Sequence, residues 1–265
     1  MSLAGLRLWV TRPRQQADAL IALLKDAGAE VAALPLLEIA PTENPAPLDA
    51  ALAGLESFDL AIFVSPSALD AVCERLLSPW PEKLAVAVMG PGSLRRAHEL
   101  GIKTIISPQG QFDSAGLLQL PQMQNLAGRR VVLFRGNGGR DALPRTLTGR
   151  GAELTLVECY RRLPPAFDAS RLEAEFGRGC DGIVVSSSEA VHYLFRLAGG
   201  QTLQRLQSSL YFAPHPRILA ALEAEGAQRA VLTAVGDAGI AASLNEYFSP
   251  AAGRALTAKK TNDAG

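Results

Sequence analysis

The stretch V-V-L-F-R-G-N-G-G-R-D-A-L-P-R-T-L-T-G-R-G-A-E-L-T-L-V-E-C-Y-R-R, residues 131–162, decides the fold. An apolar run from Val131 to Phe134 stops at Arg135 and a glycine-rich turn, Gly136, Gly138 and Gly139. A short helix then ends at Gly149 to Gly151, and a second strand runs on to Tyr160. Glycines allow backbone to come close to a ligand, and the first turn of the helix offers unpaired N–H groups to an anion. The stretch has a counterpart, L-R-L-W-V-T-R-P, that begins at residue 6. Arg12 and Arg135 stand 123 residues apart, and so do Gly28 and Gly151, which close the two helices. The chain reads as two copies of one plan.

Working outward, two more pairs of strand-end motifs keep nearly the same interval. S-P-S at 65–67 answers S-S-S at 186–188, and G-P-G-S at 90–93 answers H-P-R-I at 215–218. Each follows a short apolar run and precedes a helical stripe, such as Leu69, Val72, Cys73 and Leu76. Strands alternating with helices predict an open parallel sheet in each copy, and small or polar residues where strand meets helix mark the usual ligand edge of such a sheet. Residues 35–47, P-L-L-E-I-A-P-T-E-N-P-A-P, hold four prolines and read as an extended connector; a second connector, residues 157–166 with Pro164 and Pro165, contains Tyr160. The expected organisation is a discontinuous first domain, 1–34 with 167–249, a second domain, 47–156, connectors at 35–46 and 157–166, and a loose tail, 250–265. Asp113 and Asp168 read as helix caps.

Composition narrows the function classes. Lys+Arg and Asp+Glu are both 26 in 265 residues, so no overall field draws the chain to nucleic acid or an anionic membrane. An acidic ligand would need local donors. No apolar run approaches the ~20 residues of a membrane span and the start lacks an export signal, so the expectation is cytoplasmic. Cys73, Cys159 and Cys180 are odd in number and without metal-ligand spacing, which predicts buried thiols, and the scattered His98, His192 and His215 give no zinc constellation.

The paired phrases resemble uroporphyrinogen-III synthase. The resemblance rests on V-T-R-P at 10–13, V-S-P-S-A at 64–68, G-P-G-S at 90–93, F-D-S-A-G-L-L at 112–118, L-F-R-G-N-G-G-R at 133–140, Y-R-R at 160–162 and V-V-S-S-S-E at 184–189. Each phrase alone is weak; their order and spacing are specific. The resemblance implies a cytoplasmic monomer of two flavodoxin-like α/β domains joined by a two-stranded linker, with a ligand cleft between them. It implies cyclisation of a linear tetrapyrrole, hydroxymethylbilane, to uroporphyrinogen III, with inversion of the terminal ring and no metal or organic cofactor. It also leaves room for transient contact with the bilane-producing enzyme. His215-Pro216-Arg217-Ile218 departs from the family's usual Gly-Pro-Thr-Thr, and Val64 stands where threonine is common.

A tetrapyrrole with an acetate and a propionate on each ring must be held by many carboxylate contacts. The expected donors are Ser65, Ser67, Gly92, Ser93, Gly136, Asn137, Gly138, Ser186, Ser187, Ser188 and Arg217, as hydroxyls or backbone N–H groups at helix starts. The same serines could do no more than cap their helices. Arg12 and Arg135 could pair with ligand carboxylates or with a neighbouring acid. The turn does not follow the dinucleotide pattern, because Asp141 occupies the place of its last glycine. Tyr160 is the catalytic candidate: a phenol, pKa ~10, keeps its proton at neutral pH and can give it to a departing hydroxyl. A packing role is its alternative. The rival to an enzyme is a two-lobed small-molecule binding protein without catalysis.

Overall fold

The computed structural model describes residues 3–138 and 141–249; the expected tail, 250–265, and Gly139 of the glycine-rich turn lie outside the described residues. The chain runs β1 (Arg7–Val10), α1 (Arg14–Asp26), β2 (Glu30–Ala33), β3 (Glu38–Pro41), α2 (Ala46–Ala53), β4 (Leu60–Phe63), α3 (Pro66–Cys73), β5 (Ala85–Val88), α4 (Pro91–Glu99), β6 (Ile105–Ile106) and α5 (Ser114–Gln119). It continues through β7 (Arg130–Gly136), α6 (Ala142–Gly149), β8 (Glu153–Leu163), α7 (Ala169–Arg178), β9 (Gly182–Val184), α8 (Ser188–Leu197), α9 (Gly200–Ser208), β10 (Leu210–Ala213), α10 (Pro216–Ala224), β11 (Arg229–Leu232) and α11 (Gly236–Tyr247).

The described residues fall into two compact units, one of residues up to 38 and from 164 on, the other within 39–163. The first holds a sheet of order β11-β10-β9-β1-β2, and the second a sheet of order β3-β8-β7-β4-β5-β6. In the first, the strand pairings are parallel. From β2 outward the first sheet follows the flavodoxin-like order 2-1-3-4-5. The second gives the same order from β8 to β6 when its strands are counted from β7, so it is the first unit with its starting point moved. Registers repeat too: Arg7 faces Glu30 in the first unit and Arg130 faces Glu153 in the second. The Asp181 carboxylate accepts from the Arg7 backbone N–H at 2.7 Å, and the Asp59 carboxylate accepts from that of Arg130 at 2.8 Å.

Each sheet is covered on both faces, which is why its strands read as unbroken apolar runs. Successive side chains alternate between faces. On β4 and β7, Ala61, Phe63, Val132 and Phe134 enter one core, while Leu60, Ile62, Val131 and Leu133 enter the other. Phe63 and Phe134 stack across the strands with centroids 5.0 Å apart. In the first unit Trp9, Ile183 and Tyr211 face one core and Leu8, Val10, Val184 and Phe212 the other. Gly28, Gly101, Gly151 and Gly226 each follow a helix with φ between +77° and +99°, the left-handed stop that L side chains resist.

Asp113 and Asp168 cap α5 and α7 as expected. The structure corrects two details. Helix α9 had no counterpart in the sequence reading: it is capped by Gly199 and opens on Gly200, carries three glutamines, and buries only Thr202 and Leu206. By helix caps, Ser65 answers Ser187 and not Ser186, because each accepts from the N–H three residues on. The connector strand β3 forms the edge of the six-stranded sheet beside β8, where Arg161 Nε donates to the Pro41 carbonyl at 3.0 Å.

Candidate active site

In this strand order the crevice lies at the carboxyl ends of the two neighbours where the order reverses. In the second unit those strands are β7 and β4, and four of the expected residues meet there. Ser65 begins α3 in extended backbone and its Oγ accepts from the Ala68 N–H at 3.2 Å. The same Oγ lies 3.0 Å from the Tyr160 phenol oxygen.

How Tyr160 gets there is a matter of strand register. Arg135 pairs with Glu158, but the next partner, Gly136, pairs with Tyr160, so Cys159 is an extra residue in β8. On a regular strand Cys159 and Tyr160 would face opposite ways; here both enter the core that holds Val157 and Phe134. A bulge of this kind re-aims the side chain that follows it. The Tyr160 ring then crosses the end of β7 over Gly136. A β-carbon on Gly136 would stand 2.6 Å from the ring Cζ and 3.0 Å from its oxygen. Gly136 is therefore glycine for close approach, to Tyr160 itself, and not for an unusual φ.

The loop after Gly136 is stitched to β8. Asn137 donates its N–H to the Tyr160 carbonyl at 3.2 Å, its Oδ1 accepts from the Arg162 N–H at 2.8 Å, and its carbonyl accepts from the Arg162 guanidinium at 2.5 Å. Gly138 takes φ +64° beside it. Arg135 is buried, with Nε donating to the Gly136 carbonyl at 3.4 Å and the Asp141 carboxylate 3.9 Å from its guanidinium. Cys159 Sγ approaches the Arg135 carbonyl at 3.4 Å, and burial pushes its thiol up to about 12.

The corresponding rim of the first unit is built on β1 and β9. The Thr11 hydroxyl donates to the Val184 carbonyl at 2.9 Å, and Arg12 forms an ion pair with Asp237 at the start of α11. Both side chains are largely buried, at 14% and 6% exposure, so an internal acid already faces Arg12. Ser187 caps α8 at 3.0 Å, Ser186 precedes it half-buried, and Ser188 Oγ donates to the Arg217 carbonyl at 3.4 Å. Arg217 is exposed, and its N–H donates at 3.1 Å to Nδ1 of His215, which caps α10. Gly92 and Ser93 lie in the first turn of α4, and Ser67 in that of α3; both serines are buried.

The duplication is incomplete where chemistry would reside. The position 123 before Tyr160 is Leu37, a buried core residue, and the one 123 before Gly136 is Pro13. Of the two units' described residues, those of the second alone place a phenol over the switch point. Sequence reasoning missed Asp237 and Arg162 as partners: 225 residues separate Arg12 from Asp237, and no local pattern marks either pair. A depression lined by Ser57, Phe58, Arg130, Glu153, Leu154 and Thr155 lies at the opposite, amino ends of β7 and β8. Among the described residues no three His, Cys, Asp or Glu gather as a metal site, and no helix is long and apolar enough to cross a membrane.

Comparison with known proteins bears on the family and the fold. The family model described as "Uroporphyrinogen-III synthase HemD" matches residues 18–237. The chain is 33% identical over 192 residues to the uroporphyrinogen-III synthase of Escherichia coli (strain K12), covering 71% of this chain and 78% of that protein. It is 35% identical over 193 residues to that of Salmonella typhimurium, covering 71% and 78%. Among solved structures, it resembles a mutant uroporphyrinogen III synthase of the extremely thermophilic bacterium Thermus thermophilus (TM-score 0.57, 20% identity, 91% of this chain and 98% of that one). The uroporphyrinogen-III synthetase of Helicobacter pylori 26695 gives TM-score 0.57 at 11% identity, over 90% of this chain and 97% of that one. At these identities the two structures speak for the fold.

Proposed function

The chain belongs to the uroporphyrinogen-III synthase family, and on that premise we propose that it cyclises hydroxymethylbilane to uroporphyrinogen III as a carbon–oxygen lyase. The observation that carries the assignment of chemistry is the phenol of Tyr160, fixed 3.0 Å from Ser65 Oγ at the switch point of the second sheet.

In the first step the C–O bond of the hydroxymethyl group breaks. Its electron pair leaves with the oxygen, which takes the Tyr160 proton and departs as water. The positive charge stays on the pyrrole, and a phenolate stays on the protein. Because the leaving group is activated by its pyrrole, the acid need not be strong, and a phenol suffices. The larger task is geometry: the far end of the bilane must be presented so that bonding occurs at the substituted carbon of the last ring, an effect of positioning. Bonding there makes that carbon quaternary; its bond to the old bridging methylene then breaks, the electron pair staying with the turned ring. The methylene cation so formed bonds the ring's unsubstituted carbon, whose proton is released to the phenolate and completes the cycle.

Donors for substrate carboxylates are proposed at the strand-end rim of each unit, taken by itself. Backbone N–H groups at the starts of α3, α4, α8 and α10, with Ser186, Ser187, Ser188 and Arg217, supply donors without a strong basic patch, each charge-assisted bond contributing about 1.5–3 kcal/mol. Arg12 and Arg135 contribute positive potential from behind those rims, since internal carboxylates already face them.

The test couples purified protein to a source of hydroxymethylbilane and separates the oxidised products by isomer chromatography. Type III porphyrin is expected, and type I alone would overturn the proposal. Tyr160→Phe is expected to lower turnover by about 10²-fold or more with unfolding close to wild type; unchanged turnover removes Tyr160 from the mechanism.

A further inference from the structure

Resting on the reading of Tyr160 as the acid, we infer that Ser65 is a positioning residue that holds the Tyr160 phenol and stabilises the phenolate it becomes. Three observations converge. Ser65 Oγ stands 3.0 Å from the phenol oxygen. The same Oγ accepts the Ala68 N–H at 3.2 Å, in the first turn of α3. The ring can reach this point because Gly136 presents no β-carbon, which would stand 2.6 Å from Cζ.

A serine hydroxyl has one proton to give and two lone pairs. One lone pair of Ser65 takes the Ala68 N–H, which orients the hydroxyl and draws electron density toward the positive end of the helix. The Ser65 proton is then directed at the Tyr160 oxygen, and Tyr160 keeps its own proton for the departing hydroxyl. As that proton leaves, the bond from Ser65 becomes a donor to an oxyanion, the kind that strengthens as charge develops. Ser65 exchanges no proton with substrate. Its counterpart Ser187 makes the same cap at 3.0 Å with no phenol in the equivalent place, so capping alone does not require the Tyr160 contact.

The substitutions separate capping from donation. Ser65→Asp retains a side-chain acceptor for the Ala68 N–H but brings no proton at neutral pH; Ser65→Thr retains both; Ser65→Ala retains neither. In protein labelled with 13Cζ tyrosine and free of substrate, with Tyr160→Phe identifying the resonance, Ser65→Ala is expected to raise the Tyr160 titration by about one to two pH units, a 10- to 100-fold change in acid constant. Ser65→Asp should raise it at least as far, and Ser65→Thr should restore it. In turnover, Ser65→Asp is expected to lose kcat with a wild-type urea midpoint, and Ser65→Ala should add nothing further in a Tyr160→Phe background. A Tyr160 titration unmoved by Ser65→Ala overturns the inference whatever the activity. If the titration moves but Tyr160→Phe turns over normally, it is the catalytic reading of Tyr160 that fails.

Discussion

The ring of Tyr160 occupies the space that a side chain on Gly136 would need: a β-carbon there would lie 2.6 Å from Cζ and 2.7 Å from the neighbouring ring carbon. Two residues read separately from the sequence, one as a ligand-facing glycine and one as an acid, are one structural unit.

Gly136→Ala must therefore move the ring. An overpacked core site costs about 1–3 kcal/mol, and turnover should fall with it toward the level of Tyr160→Phe. Because both changes act on one contact, their effects on turnover should not add. Full activity in Gly136→Ala, measured with the isomer assay, would show that the ring position is unimportant.

Ser65→Ala and Ser187→Ala remove equivalent caps, so each should lower stability by about 1 kcal/mol in urea unfolding. Ser65→Ala should lose somewhat more, since the Tyr160 hydroxyl loses a partner as well. Equal losses at both sites would mean that the Tyr160 contact contributes nothing to the folded state.

The duplicated glycines allow a matched comparison. A β-carbon at Gly151 would meet the Ala127 Cα at 2.8 Å, and one at Gly28 would meet the Ala4 Cα at 3.2 Å. Both positions carry positive φ, so alanine costs about 1–2 kcal/mol at either. The closer backbone contact should make Gly151→Ala the more damaging of the two. Midpoints of chemical unfolding rank the pair, and the reverse order would contradict the packing argument.

Burial pushes the thiols of Cys159 and Cys180 up to about 12 and that of Cys73 to about 11. A thiol in the unfolded chain ionises near ~8.5. The fold thus retains protons that the unfolded chain releases: this contribution to stability is complete below the unfolded value and fades as pH rises through the range to 11–12. Iodoacetamide at pH 8 should modify all three cysteines far more slowly in the native protein than in urea. Rapid native labelling would place a thiol at the surface.

Much of the architecture could be read from the chain because it depends on local pattern. Apolar runs ending in small residues located most strands, and the repeated interval of 123 separated the copies. Helix α9 escaped because glycines stand at its cap and its first position and only two of its residues are buried. Among site residues, Ser65 and Tyr160 were legible as residue types at strand ends. Their contact was not, since it spans 95 positions and depends on β8 lying beside β7, β7 beside β4, and one extra residue at Cys159. The pairing of Arg12 with Asp237 was hidden for the same reason: sequence spacing carries no signal for an ion pair made across a sheet by the last helix.

The shifted starting point of the second copy has a bearing on synthesis. Strand β1 needs β9 as its inner neighbour, and β9 to β11 come only after residue 181. On the ribosome the middle of the chain can therefore complete its sheet while the first 38 residues still wait for partners. Strand β1 is thus made before the middle of the chain and finds its inner neighbour after it.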